Sequence, residues 1–151
     1  REKYDHEYEG INSRLDGLQA SILNVKLGWL DRWTDRRRAI AGIYSDSLKN
    51  VVMTPSVTPE LKHVFHLYVI RVKDRDRFRE RLGKAGIDTG IHYPVPLPFL
   101  TAYKSLGHKP EDFPCAWSLK DEIVSLPMHG NMTDEQVQYV VNQVRMSLEK
   151  V

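Results

Sequence analysis

The stretch from Glu9 to Leu30 limits what this chain can become more than any other, because a helix there is apolar over too wide an arc to finish on one surface. Leu15, Leu18, Ile22, Val25, Trp29 and Trp33 recur at spacings of three and four, which draws a stripe along a helix. Leu23, Leu27 and Leu30 add a second strip beside it. Such a helix packs on more than one neighbour, so it is expected to join two bodies or two chains. Ser13 and Asp16 stand three apart just ahead of the apolar run, the spacing of a capping box, and predict a helix start near Ser13. The pattern continues through Arg38, Ile40, Tyr44 and Leu48; at roughly 1.5 Å per residue an unbroken helix would be a rod on the order of 50 Å. Gly28 and Gly42 are its weak points, each costing about 1 kcal/mol against alanine in a helix interior, and a bend is expected near one of them.

After this helix the signals alternate in type. Pro55 and Pro59 mark a loop or edge segment. His63 to Val72 is rich in β-branched and aromatic residues on both faces and reads as a strand central in a sheet. Asp74 is placed to cap a helix over Arg75 to Ala85, with Phe78 and Leu82 as its apolar stripe and Gly86 as its stop. Ile87 to His92 reads as a short strand, and the prolines of Tyr93 to Pro98 then hold the chain in a fixed extended loop. Short helices are expected over Phe99 to Leu106 and from Pro114 to about Lys120, with a strand over Ile123 to Leu126. Thr133 and Gln136 open a last helix whose face is Val137, Val140, Val141, Val144 and Leu148. The order argues an α+β fold: a linking segment and long helix over residues 1–50, then a small domain over 51–151 with a few-stranded sheet covered by helices.

Composition excludes several function classes. Twenty-two basic against 20 acidic residues leave a net charge of +2, too small a bias to argue for nucleic acid or a membrane surface as a partner. Arg32, Arg36, Arg37 and Arg38 are interleaved with Asp31 and Asp35, the pattern of a solvated, salt-bridged helix face. Cys115 is the lone cysteine, so no disulfide framework or thiolate metal site forms within one chain, and a reducing cytoplasm fits. By default it is a buried structural thiol. The first residues are charged rather than signal-like, and no apolar run has the length of a membrane span. His63, His66, His108 and His129 share no metal-ligand spacing with carboxylates, and no metal site is expected.

The run Gly-x-Asn-x-Arg-Leu-Asp-x-Leu-Gln-Ala-x-Ile-Leu from Gly10 to Leu23 resembles the segment that opens the C-terminal part of the DegT/DnrJ/EryC1/StrS family. The likeness continues in the family's order through Val64 to Tyr68, Gly90 to Leu97, Ala102 and Tyr103, Leu126 to Met128 and Thr133 to Gln136. It implies the small domain of a fold-type I pyridoxal-phosphate (PLP) enzyme, preceded by the helix that links it to a large cofactor-binding domain. It further implies transfer of an amino group from an amino acid to a nucleotide-linked keto-sugar, in a homodimer with shared sites. PLP chemistry needs a Schiff-base lysine and a carboxylate near the pyridine nitrogen. The family's Ser-Phe-x-x-x-Lys motif is absent, so no catalytic residue is assigned and the chain is expected to be inactive alone. Two other readings stay open: a stand-alone dimerisation or regulatory module, and a sugar dehydratase of the same family.

Four residues are candidates for a site. Asn12 matches the asparagine that, by resemblance, reaches the cofactor phosphate of the partner subunit; on the residues alone, Asn12 or Ser13 is a helix cap. Arg14 has the fork geometry for a substrate phosphate or carboxylate, or else forms a surface ion pair with Asp16 or Asp5. His92 and Tyr93, between a strand end and the proline loop, lie by resemblance at the mouth of the site against the sugar or the donor carboxylate. A histidine at a strand end is otherwise a satisfied structural residue. Pro98 departs from the pattern, standing where many relatives have a histidine, which puts substrate contacts of that loop in doubt.

Overall fold

The computed structural model describes Tyr4 and residues 6–148. Its first helix, α1, spans Gly17–Leu27, starting later than Ser13 because the capping box is the next one along. The Asp16 carboxylate accepts from the Gln19 N–H at 2.8 Å while the Gln19 side chain accepts from the Asp16 N–H at 3.4 Å. The continuous rod is also corrected. At Gly28 and Trp29 the ladder is interrupted, the Trp29 N–H bonding the Lys26 carbonyl instead of the one four residues back, and α2 then spans Leu30–Leu48. A glycine with no side chain to pack is the weakest point in the run, and the break falls there.

The two helices differ in what they bury. None of α1's residues is buried, whereas α2 sinks Ile40, Ala41, Tyr44 and Leu48 into the core at helical spacing. The predicted solvated arginine face is only partly realised. Arg38 stands 3.7 Å from Asp35, but Arg36 reaches across to the start of the last helix, donating to the Met132 carbonyl at 3.0 and 2.7 Å and pairing with Asp134 at 2.7 Å.

The sheet is smaller than its sequence suggests. β1 covers Tyr68–Arg71 rather than the whole of His63 to Val72, because Phe65 turns into a positive φ of 47° and its N–H bonds the His63 ring. β2, Ile123–Leu126, pairs with β1 antiparallel, Tyr68 facing Leu126. A single bridge from Met53 flanks β1 and another from Gly90 flanks β2, so both strands are interior and the expected strand over Ile87 to His92 reduces to one bridge. Between β1 and β2 lie α3, Arg75–Lys84, closed by Gly86 at φ +73°, then 3-10 turns over Leu97–Phe99, Thr101–Leu106 and Pro110–Asp112, and α4, Pro114–Leu119. Cys115, on α4, is exposed, which corrects the expected buried thiol: α4 buries none of its residues. The last helix, α5, Asp134–Leu148, opens with the predicted Thr133 and Gln136 box. α2 and α3 both pack against α5, and the core unites Ile70 and Val124 of the sheet with Leu82, Val137 and Val144 of the helices.

One loop holds α2 by close approach. A Cβ on Gly130 would lie 2.6 Å from Trp33 Cδ1 and 2.8 Å from Trp33 Cβ. The Trp33 Cβ is fixed by the α2 backbone, so rotating the ring does not relieve the contact. Gly130→Ala is therefore expected to destabilise the protein by about 2 kcal/mol, in the range for overpacking, as a lower urea midpoint at unchanged slope. A midpoint shift below about 0.5 kcal/mol would mean that the loop moves freely away from α2.

Candidate functional site

The proline loop borders three cavities. Pro94, Pro96, Phe99, Trp117 and Lys120 border a cavity of about 460 Å³ on one side. His92, Tyr93, Ala116 and Lys120 border a second of about 290 Å³, and Tyr93, Leu97, Leu100, Tyr4 and His6 a third of about 190 Å³. The loop is fixed from outside as well as by its prolines. Phe99 stacks edge-on against Trp117 at 5.0 Å, and the Ala102 N–H bonds the His6 carbonyl at 2.8 Å. The Tyr4 ring meets the Tyr93 ring at 5.6 Å, so the segment leading to α1 folds back on the loop. A larger hollow of about 490 Å³ lies elsewhere, among Val51, Phe78, Arg71, Lys73 and Arg77, and contains none of the four predicted residues.

His92 is half-buried, with its Nδ1 2.8 Å from the Ser125 hydroxyl on β2. Tyr93 is 57% exposed and touches the cavities on either side of it. The structure thus brings His92 and Tyr93 together with Tyr4 and His6, and leaves Asn12 and Arg14 apart on the exposed segment ahead of α1, bordering none of these cavities. Because the helix starts at Gly17 with Asp16 as its cap, neither Asn12 nor Ser13 caps it, and Asn12 does not share an anion site with its first N–H groups. Among the described residues Arg14 has no ion pair with Asp16, whose carboxylate caps α1; Asp5 lies outside the described residues.

Lys120 is the lysine at the centre of this region, shared by two cavities. Its ammonium is committed, 2.6 Å from Asp121 and 4.7 Å from the Trp117 ring centroid. Lys104 and Lys109 are exposed and border none of the three cavities. Among the described residues no cluster of histidine, cysteine and carboxylates is arranged for a metal, and no helix is long and apolar enough to cross a membrane. The sequence reading missed Ser125 and the return of Tyr4 and His6 onto the loop. Ser125 carried a weak signal, a polar residue inside an otherwise apolar strand. The return of Tyr4 and His6 carried none, since that segment has no period.

The chain belongs to the DegT/DnrJ/EryC1/StrS aminotransferase family, which matches over residues 1–145. It is 43% identical over 143 residues to the dTDP-3-amino-3,6-dideoxy-alpha-D-galactopyranose transaminase of Aneurinibacillus thermoaerophilus, covering 94% of this chain and 39% of that protein. The S. venezuelae DesV crystal structure in complex with a ketimine intermediate superposes with a TM-score of 0.87 at 37% identity, over 100% of this chain and 41% of DesV. The PLP-form of the putative sugar aminotransferase Spr1654 from Streptococcus pneumoniae superposes at 0.79 with 31% identity, over 88% of this chain and 36% of that one. The chain spans about two fifths of the length of the curated relatives it matches. The α+β architecture is therefore the small-domain part of the fold-type I arrangement, as the resemblance implies.

Proposed function

We propose that this chain forms the C-terminal part of a PLP-dependent aminotransferase acting on nucleotide-linked keto-sugars in amino-sugar or surface-polysaccharide biosynthesis, with an amino acid as donor. The working unit is a homodimer in the cytoplasm. Residues 1–50 are its linking segment and long helical arm and 51–151 its small domain, with the second half of α2 shared into that domain's core. PLP, when bound, supplies the electron sink for moving the amino group. The described residues suit contact with its phosphate but not its covalent attachment, because Lys120 is engaged by Asp121 and Trp117. The attaching lysine belongs elsewhere in the protein. Asn12 donates its amide to the phosphate in the neighbouring subunit, Arg14 takes a substrate phosphate or carboxylate, and His92 and Tyr93 orient the sugar or the donor carboxylate at the mouth of the site.

The observation that carries this reading is the position of Asn12. Helix capping falls to Asp16, and Asn12 is exposed with no hydrogen-bond partner among the described residues, so its amide is available to a ligand. The exposed apolar surface of α1, from Leu15 and Leu18 to Ile22 and Val25, supports a second body or subunit against the same segment. In the intact protein, Asn12→Ala is expected to weaken PLP retention by about 10- to 100-fold, the range for a lost hydrogen bond to a charged acceptor. Equilibrium dialysis followed by the coenzyme's absorbance reads this directly. Retention equal to the parent's would remove Asn12 from the cofactor site.

A further inference from the structure

We propose that Ser125 and Gly90 are positioning residues for His92, together fixing the imidazole so that its second nitrogen is presented to the substrate. The inference rests on the reading of His92 as a substrate contact and adds what makes that contact specific.

Ser125 holds the His92 segment at three points. Its N–H donates to the Gly90 carbonyl at 2.8 Å, its carbonyl accepts from the Gly90 N–H at 3.1 Å, and its hydroxyl meets His92 Nδ1 at 2.8 Å. The serine is itself only 4% exposed, in the middle of β2, so its hydroxyl is in a sheltered place where a hydrogen bond is worth more than at the surface. Gly90 supplies the other wall. A Cβ there would sit 2.5 Å from His92 Cε1 and 3.1 Å from Nδ1, so the ring lies directly over a backbone that only glycine leaves open.

The consequence is asymmetric. One ring nitrogen is tied to the sheet by a hydroxyl that can donate or accept, so the tie fixes the orientation of the ring. The other nitrogen, Nε2, has no hydrogen-bond partner among the described residues, and His92 borders the 290 Å³ cavity with Tyr93 and Lys120. A structural histidine needs only the tie to the sheet. A substrate-orienting one needs a fixed ring with one free polar atom.

The test uses the intact protein labelled with ¹⁵N-histidine. In the parent, His92 is expected to show an Nδ1 resonance shifted by its hydrogen bond to Ser125, assigned by its loss in His92→Asn. Ser125→Ala should move the Nδ1 resonance, and Ser125→Thr, which keeps the hydroxyl, should restore it. Gly90→Ala approaches from the other side: its backbone needs no positive φ and the three atoms nearest its Cβ all belong to the movable ring, so the imidazole is displaced while the backbone stays in place. Kinetics are read with dTDP-3-amino-3,6-dideoxy-α-D-galactopyranose, the sugar named for the Aneurinibacillus relative, run toward the keto-sugar. Ser125→Ala and Gly90→Ala should each raise its KM about tenfold, with kcat changed less, and Ser125→Thr should recover it. A parent-like imidazole spectrum in Ser125→Ala overturns the proposal. So does a parent-like KM in both variants while His92→Asn raises it, and that pattern leaves the reading of His92 intact. An unchanged KM in His92→Asn instead overturns that reading, and the positioning role with it.

Discussion

Replacing Tyr44 by alanine is expected to remove about 4 kcal/mol of stability, enough to unfold a marginal domain at physiological temperature. Tyr44 is fully buried on α2, its ring 5.1 Å from that of Tyr68 on β1, and its hydroxyl donates to the Pro127 carbonyl at 3.0 Å just after β2. It therefore joins the helical arm to both strands of the sheet. Truncation leaves a ring-sized cavity among side chains that cannot all collapse into it, and it leaves a carbonyl without its donor. Tyr44→Phe separates the two effects: it keeps the ring and should cost only about 1 kcal/mol, the net value of one hydrogen bond. Urea unfolding of both variants measures the difference. A loss below about 1 kcal/mol for Tyr44→Ala would contradict the place of α2 in the core.

The same pair of tyrosines makes the fold sensitive to base. Burial pushes the Tyr44 phenol well above its ordinary value, and the nearby Tyr68 adds to this. Burial also raises Tyr68, opposed by hydrogen bonds from Ser45 and Thr54 and reinforced slightly by Asp46. In the unfolded chain both phenols lose their protons near pH 10, about their unperturbed value, while in the folded protein both keep them longer. The folded state then binds more protons than the unfolded one, so stability falls as pH rises. The contribution is intact below about pH 10 and drains away above it, at up to about 1.4 kcal/mol per pH unit for each tyrosine and roughly 3 for the pair. Unfolding midpoints measured at successive pH values from 9 upward should show this decline. In Tyr44→Phe the slope should be about half as steep, and an equal slope in parent and variant would assign the base sensitivity to other groups.

Much of this architecture was legible because local rules and the fold agree. Phe78, Leu82 and Gly86 predict α3, although Asp74 stands at its N-cap without a side-chain cap bond, and the Thr133 and Gln136 box predicts α5, since each depends only on residues within a turn or two. The failures come where a rule is satisfied twice or a distant contact decides. Ser13 with Asp16 and Asp16 with Gln19 both have capping spacing, and only the second forms. The residues of His63 to Val72 favour a strand throughout, yet the turn at Phe65 confines it to Tyr68–Arg71. At the site, the prolines announced a fixed loop, and His92 and Tyr93 beside it were visible as polar groups between a strand end and that loop. Their surroundings were not, because Ser125 lies 33 residues downstream of His92 and Tyr4 about 90 upstream of Tyr93, separations no periodicity reports.

The interruption at Gly28 and Trp29 has a practical meaning for protein engineering. Upstream of it α1 keeps every side chain accessible, while downstream α2 commits its second half to the sheet and α5. A graft that swaps small domains between relatives is best spliced at this joint. Each donor then keeps its own α1 intact, and the recombined halves meet where the helical ladder is already interrupted.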